Sequence, residues 1–171
     1  MLKLRELNEL DLKIINSWRN DPELISNLGA PFRYINYEVD RRWYESYMNN
    51  RSTNVRCSIV DESDMILGLV SLVSIDYMNQ SAVFNIMIGD KKNQGRGIGF
   101  FAVKEMLNHA FNNLNLQRVE LFVLEDNKRA IHLYEKSGFK YEGRKRKARY
   151  KNGKFVDLFM YSILKEEFIY K

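Results

Sequence analysis

Apolar and polar residues alternate along this chain with two periods, and the switches between them give an order of elements. Residues 2–6 read as a strand. Residues 9–20 read as a helix, with Leu10, Ile14, Ile15 and Trp18 on one face. Asp21-Pro22 ends it, because the residue before a proline disfavours helical backbone. Residues 23–37 form a partly ordered connection. A second helix fits 38–49, where Val39, Trp43 and Tyr47 recur at helical spacing. Three strands follow at 55–60, 65–75 and 81–88, an antiparallel meander with turns at 61–64 and 78–80. A loop over 89–99 leads into a helix striped by Phe100, Val103, Met106, Leu107 and Ala110. Then come an apolar strand at 118–124 and a short helix capped by Asn127 and ended by Gly138. The last two strands, 139–150 and 155–164, flank an Asn152-Gly153 turn. This order predicts an α/β chain, a mixed sheet with helices packed on its faces.

The length of 171 residues suits one domain, 1–171, with one sizeable core. The 45% hydrophobic and 29% charged content argues against disorder. The N-terminal residues lack the apolar run of a signal peptide, and no segment is long enough to cross a bilayer. The expectation is a cytoplasmic protein with no membrane partner. Cys57 is the only cysteine, so no intrachain disulfide forms, and its place in a strand reads as a small buried residue. With two histidines, His109 and His132, no metal-ligand cluster is expected. His132 is expected at the surface.

Charge changes the picture in one place. Residues 140–154 carry eight basic residues and one acid, a net +7, so the rest of the +5 chain is −2. Basicity this local does not describe a nucleic-acid-coating protein, and no RNA motif or stacking cluster accompanies it. The segment Arg144 to Lys154 is either a solvated face or a contact to an anionic acceptor or to phosphates.

The candidate chemistry begins at Gln94-Gly95-Arg96-Gly97-Ile98-Gly99, between a strand and a helix. Glycines admit close backbone approach, and a helix N-terminus presents free N–H groups to an anion. The alternative is a flexible turn. The loop lacks the Lys-Ser/Thr pair of a P-loop and the Gly-x-Gly-x-x-Gly spacing of a dinucleotide fold.

That loop resembles the Gln/Arg-x-x-Gly-x-Gly/Ala pyrophosphate loop of the GNAT superfamily. Residues 127–139, from Asn127 through Ala130, Leu133 and Tyr134 to Gly138-Phe139, resemble its second block, Asn-x-x-Ala-x-x-Leu-Tyr-x-x-x-Gly-Phe. Both blocks occur in order, one strand apart. Glu142-Gly143 and the Asn152-Gly153…Asp157 hairpin extend the likeness over nearly the whole chain. The closest resemblance is to the branch holding ribosomal-protein, spermidine and nucleotide-sugar N-acetyltransferases.

The resemblance implies a GNAT fold of about seven strands and an acetyl-CoA cosubstrate without a metal. It also implies direct attack of a deprotonated amine on the thioester. Cofactor contacts are expected from Ile86, Met87 and Ile88, with the Met87 N–H as donor to the carbonyl. Further contacts are expected from Gln94 through Gly99 and from Asn127 and Ala130. Tyr134 would be the acid that protonates the departing thiolate; its other reading is a core tyrosine. Asn127 would be a helix cap, with or without a cofactor contact. Val83 and Asn85 occupy the place where many relatives carry a glutamate base. Glu120, Asp76 or a water relay would then serve. Trp18, Trp43 and Tyr47 read as core, and Tyr44 as the acceptor contact. The expected acceptor is a protein N-terminus or a nucleotide-linked amino sugar. The alternatives are a polyamine acceptor or a module that binds acetyl-CoA without turnover. Self-association is left open.

Overall fold

The computed structural model describes residues 1–170. Seven strands form one sheet in the order β1-β2-β3-β4-β5-β7-β6. They are β1 (Lys3–Glu6), β2 (Val55–Val60), β3 (Ile66–Asp76), β4 (Ser81–Ile88), β5 (Arg118–Leu124), β6 (Lys140–Lys151) and β7 (Lys154–Leu164). Every neighbouring pair is antiparallel except β4 and β5, which are parallel. The helices are α1 (Leu12–Arg19), α2 (Pro22–Ser26), α3 (Tyr37–Asn49), α4 (Ile98–Asn108) and α5 (Lys128–Lys136). Residues 109–113 continue α4 as a π-helical turn. No helix among the described residues is long and apolar enough to cross a membrane.

Helices cover both faces of the sheet, as the alternation predicts. One face buries Ile59, Val70, Leu72, Phe84, Val119, Leu121 and Ile163 against Val103, Met106 and Leu107 of α4. The other packs Val60 and Ile66 against Leu12, Ile15 and Trp18 of α1 and Tyr47 of α3. Trp18 and Tyr47 are core, as expected. Gly89, just after β4, makes room for Trp18: a Cβ there would meet the indole at 2.2 Å. Cys57 is half-buried and its thiol is pushed up to about 11, first by burial, which fits a packing residue.

Two expectations are corrected. The helix over 9–20 starts with a 3-10 turn, Glu9–Asp11, capped by Asn8. That turn rotates Leu10 into solvent, where it is 89% exposed, and puts Leu12 in the core instead. Asp21-Pro22 does stop the helix. It also begins another: Asp21 caps the N–H groups of Glu23 and Leu24, and Pro22 opens α2.

The 3-10 turn exists because Asp11 is buried as a ligand for donors. Arg5 grips it with two nitrogens at 2.8 and 2.9 Å, Ser58 donates at 2.7 Å, and the Asn8 N–H at 3.0 Å. Burial works to raise the Asp11 carboxyl; the donors from Arg5, Ser58 and Asn8 outweigh it and hold it below the ordinary value. This pair ties β1, β2 and the start of α1 together. A depressed folded-state value gives stability that is present above the unfolded value of about 3.9 and lost as pH falls through the folded one. We expect Asp11→Asn to cost roughly 2–3 kcal/mol at pH 7 by taking from Arg5 its buried partner and leaving it only the exposed Asp64. It should also flatten the acid limb of stability, which urea melts at pH 7 and pH 3 would show; equal losses at both would remove the pair from that role.

Candidate active site

The site begins where pairing between β4 and β5 stops. Those strands are in register only at Ser81–Arg118, Ala82–Val119 and Val83–Glu120. Beyond that the strands part. Side chains from both, together with α3, α5 and the 27–35 segment, line a cleft of about 1460 Å³.

The register on the other edge of β4 decides which backbone groups face this gap. The N–H of Gly89 bonds to Leu67 O at 2.9 Å. Bonded pairs alternate along an antiparallel ladder, so Met87 and Asn85 are bonded to Leu69 and Ser71 of β3. The N–H and C=O groups of Ile86 and Ile88 therefore point into the gap. This corrects the choice of Met87 as carbonyl donor: its N–H faces β3, and its side chain packs beneath α1 and α3. Ile86, Met87 and Ile88 all line the cleft.

At one end of the gap lies the glycine loop. Gly95 and Gly97 both have φ +79°, and Gly97 is the N-cap of α4. The first helical bond runs from the Phe101 N–H to Gly97 O at 3.0 Å. The N–H groups of Ile98, Gly99 and Phe100 thus have no acceptor within the helix. A Cβ on Gly97 would meet nothing within 4 Å, so its bare backbone borders open space. Gly99 differs: a Cβ there would meet Leu133 at 3.0 Å, so its smallness lets α5 approach α4. Gln94, Gly95, Gly97 and Gly99 line the cleft. Arg96 is exposed outside the lining, and the Ile98 side chain is in the core, leaving Ile98 only its backbone to offer. These features suit a pyrophosphate and an extended amide-bearing arm.

Facing the gap is the start of α5. Asn127 caps it, its Oδ1 accepting from the Ala130 N–H at 3.1 Å. Its Nδ2 donates to Asn27 O at 2.9 Å, so both ends of the amide are already used by the chain. Ala130 lines the cleft. Arg129, overlooked in the sequence although it lies within the second block, donates to Gln94 Oε1 at 2.8 Å and clamps loop to helix. Tyr134, 7% exposed, packs edge-on to Phe84 at 6.3 Å. Its hydroxyl has no partner among the described residues, yet no side-chain polar atom is buried without one, so it opens to the cleft. Burial pushes the phenol well above its usual value, so it stays protonated at neutral pH.

The far half of the cleft is bounded by α3 and the 27–35 segment. Val39 and Trp43 face it, one turn apart; Trp43 and Tyr44 are both half-buried against the cluster of α1 and α3, and only Trp43 also lines the cleft. The aromatic side chain that α3 presents to the cleft is therefore Trp43, not the expected Tyr44. Arg19 lies 4.2 Å over the Trp43 ring and is paired with the fully buried Asp40 at 2.7 Å. The basic hairpin divides in role. Lys151 donates to Ile25 O and Ala30 O at 2.9 and 2.6 Å, and Arg149 to Gly29 O at 3.1 Å, bracing the segment. Lys145, Arg146 and Lys147 are exposed. Neither Glu120, held by Arg118 at 2.9 Å, nor Asp76, held by Asn79, lines the cleft. His132 is exposed, as expected, at the cleft's rim.

A parted parallel pair, a glycine-capped helix end and a buried tyrosine across from them define an acyl-CoA-dependent transferase. The model of the GNAT acetyltransferase domain matches residues 1–140, and the chain belongs to that family. It is similar to the spermidine N(1)-acetyltransferase of Vibrio cholerae, 30% identical over 98% of this chain and 95% of that one. It is also similar to the acetyltransferase PseH of Campylobacter jejuni, 27% identical over 81% and 85%. The crystal structure of the Vibrio cholerae spermidine N-acetyltransferase in complex with CoA and spermine superposes with a TM-score of 0.91 at 30% identity, covering 97% of this chain and 96% of that one. The chain is an acetyl-CoA-dependent N-acetyltransferase.

Gly97 gives the sharpest test of the cofactor end. Gly97→Ala should weaken CoA binding more than tenfold in calorimetry. Gly153→Ala, at φ +83° in the β6–β7 turn, carries the same backbone strain of roughly 1–2 kcal/mol away from the cleft. An equal affinity in the two folded variants would remove the loop from the cofactor site.

Proposed function

We propose that the chain transfers acetyl to a primary amine with a neutral or anionic body, by direct attack in the gap between β4 and β5. Acetyl-CoA, when bound, supplies the thioester carbonyl and a thiolate leaving group. The free N–H groups of Ile86 and Ile88 are donors for the carbonyl oxygen as charge develops on it. The α4 N-terminus and Gly97 hold the phosphates. Tyr134, protonated and facing the gap, donates the proton that the leaving thiolate takes up. No carboxylate lines the cleft among the described residues, so an ordered water is the route for the proton that the attacking ammonium must lose.

That same absence carries the acceptor reading. The lining includes Arg19, Arg33, Arg56 and Arg149 and no Asp or Glu, which disfavours a polycation at close range. A nucleotide-linked amino sugar or a protein N-terminus has a body compatible with this lining. A second reading rests on similarity: the relatives above include enzymes named for spermidine, and one was solved with spermine. Specificity constants for spermidine, an amino-sugar nucleotide and an N-terminal peptide, measured at low and physiological salt, separate the two. We expect spermidine to be the poorest; a clear spermidine preference would establish the second reading.

Tyr134→Phe keeps the ring contacts with Phe84 and Phe139. It should lower kcat by roughly ten- to a thousandfold while acetyl-CoA affinity holds. An unchanged kcat, where chemistry limits turnover, would leave Tyr134 as a packing residue.

A further inference from the structure

Three polar side chains form one row on the sheet face beneath α1 and α3. The register pairs Arg56 of β2 with Ser71 of β3, and Ser71 with Asn85 of β4. Register partners share a face, so all three project to the same side, and all three line the cleft. None of these side chains has a hydrogen-bond or ion-pair partner among the described residues; the bonds at Arg56 are made by its backbone, whose N–H reaches the Tyr47 hydroxyl at 3.4 Å and whose carbonyl accepts from the Leu7 N–H at 2.9 Å. Since no buried side-chain polar atom lacks a partner, their donors open to the cleft.

The charges around the row do not cancel. The buried acids nearby are already taken: Asp40 by Arg19 at 2.7 Å and Asn16 at 2.8 Å, and Asp11 by Arg5 and Ser58. Arg56 lies over the Trp43 ring at 5.1 Å and 6.0 Å from that of Tyr47. Burial and then the neighbouring Arg19 press its guanidinium below the ordinary value, with no carboxylate opposing them. A guanidinium keeps its proton even so. A half-buried cation without a counter-ion is costly unless a ligand provides one.

We propose that Arg56, Ser71 and Asn85 form a subsite for an anionic group, carboxylate or phosphate, carried by the amine acceptor. Arg56 offers a planar fork to two oxygens, the Ser71 hydroxyl and the Asn85 amide add donors, and Trp43 covers the chain between. The proposal rests on acetyl transfer in the β4–β5 gap. Asn85 stands on β4 beside the gap and Arg56 two strand spacings away, so an anion held along the row lies within about 10 Å of the amine. An anion gripped by Arg56 at the far end of that row suits an extended amino acid or an amine phosphate.

Four probes of similar length test it: spermidine, hexylamine, 6-aminohexanoate and 6-aminohexyl phosphate. Turnover is read by thiol release, and binding to the CoA-loaded protein by calorimetry. We expect 6-aminohexanoate, the phosphate or both to exceed hexylamine and spermidine by about tenfold or more in kcat/KM. The better of the two anions identifies the group. In Arg56→Gln the anion-to-hexylamine ratio should collapse about tenfold or more, and in Arg56→Lys it should fall part of the way, since the charge remains without the fork. A wild-type preference for hexylamine or spermidine would overturn the subsite, as would an unchanged ratio in folded Arg56→Gln; Arg56 would then be a cation stacked on Trp43. Turnover of none of the four, with calorimetric binding of the anions still lost in Arg56→Gln, would support the subsite and count against acetyl transfer to such amines.

Discussion

Everything functional in this molecule depends on one interrupted ladder. The parallel strands β4 and β5 pair over only three register positions and part after Val83 and Glu120. The parting leaves main-chain donors and acceptors of Ile86 and Ile88 unsatisfied by the sheet. Such groups are normally paired. A ligand with amide groups of its own can take the place of the missing strand. The antiparallel half, β1 to β4, and the hairpin half, β5 to β7, each hold themselves together, so the gap does not cost the fold its core.

The two ends of the cleft are built on opposite electrostatic terms. At the cofactor end the attraction comes from backbone: the dipole of α4 and its free N–H groups, with Gly97 leaving them uncovered. At the other end, lined by α3 and the 27–35 segment, it comes from side chains, and the lining carries arginines and no acid among the described residues. Arg19 is neutralised by Asp40, while Arg56 is not. Both guanidiniums lie against the Trp43 ring, Arg19 at 4.2 Å and Arg56 at 5.1 Å from its centroid.

Most of the architecture was legible in the sequence, for local reasons. Strands 55–60, 81–88 and 118–124 fall where the β-branched and apolar runs lie. The Asn127 cap, Gly138 at φ +98° and the Asn152-Gly153 turn act through their own backbone preferences. The two glycine and tyrosine blocks, read as a family resemblance, also mark both walls of the cofactor end. What could not be read depends on parity and on partners. Leu10 looked apolar and inward, but the demand of Asp11 for donors sets the phase of that turn. Met87 and Ile88 differ in role only through which neighbour each N–H faces, and that follows from the pairing with β3. Val39 and Trp43 share a helical stripe with Tyr47, yet the stripe runs off the core and over the cleft. Arg56, Ser71 and Asn85 are far apart in sequence and become a row only once two registers are fixed.

Beyond the buried Ile25, the segment Asn27 to Ala30 is fastened to the rest of the protein through carbonyl oxygens. Asn127 takes that of Asn27, Arg149 that of Gly29, and Lys151 those of Ile25 and Ala30. A carbonyl looks the same whatever residue carries it. The fastening is therefore indifferent to the side chains of this wall, which can be exchanged without loosening it. Substrate choice and structural support are thereby separated within one loop, so a new acceptor preference can evolve there by single substitutions while the sheet, the helices and the cofactor end stay as they are.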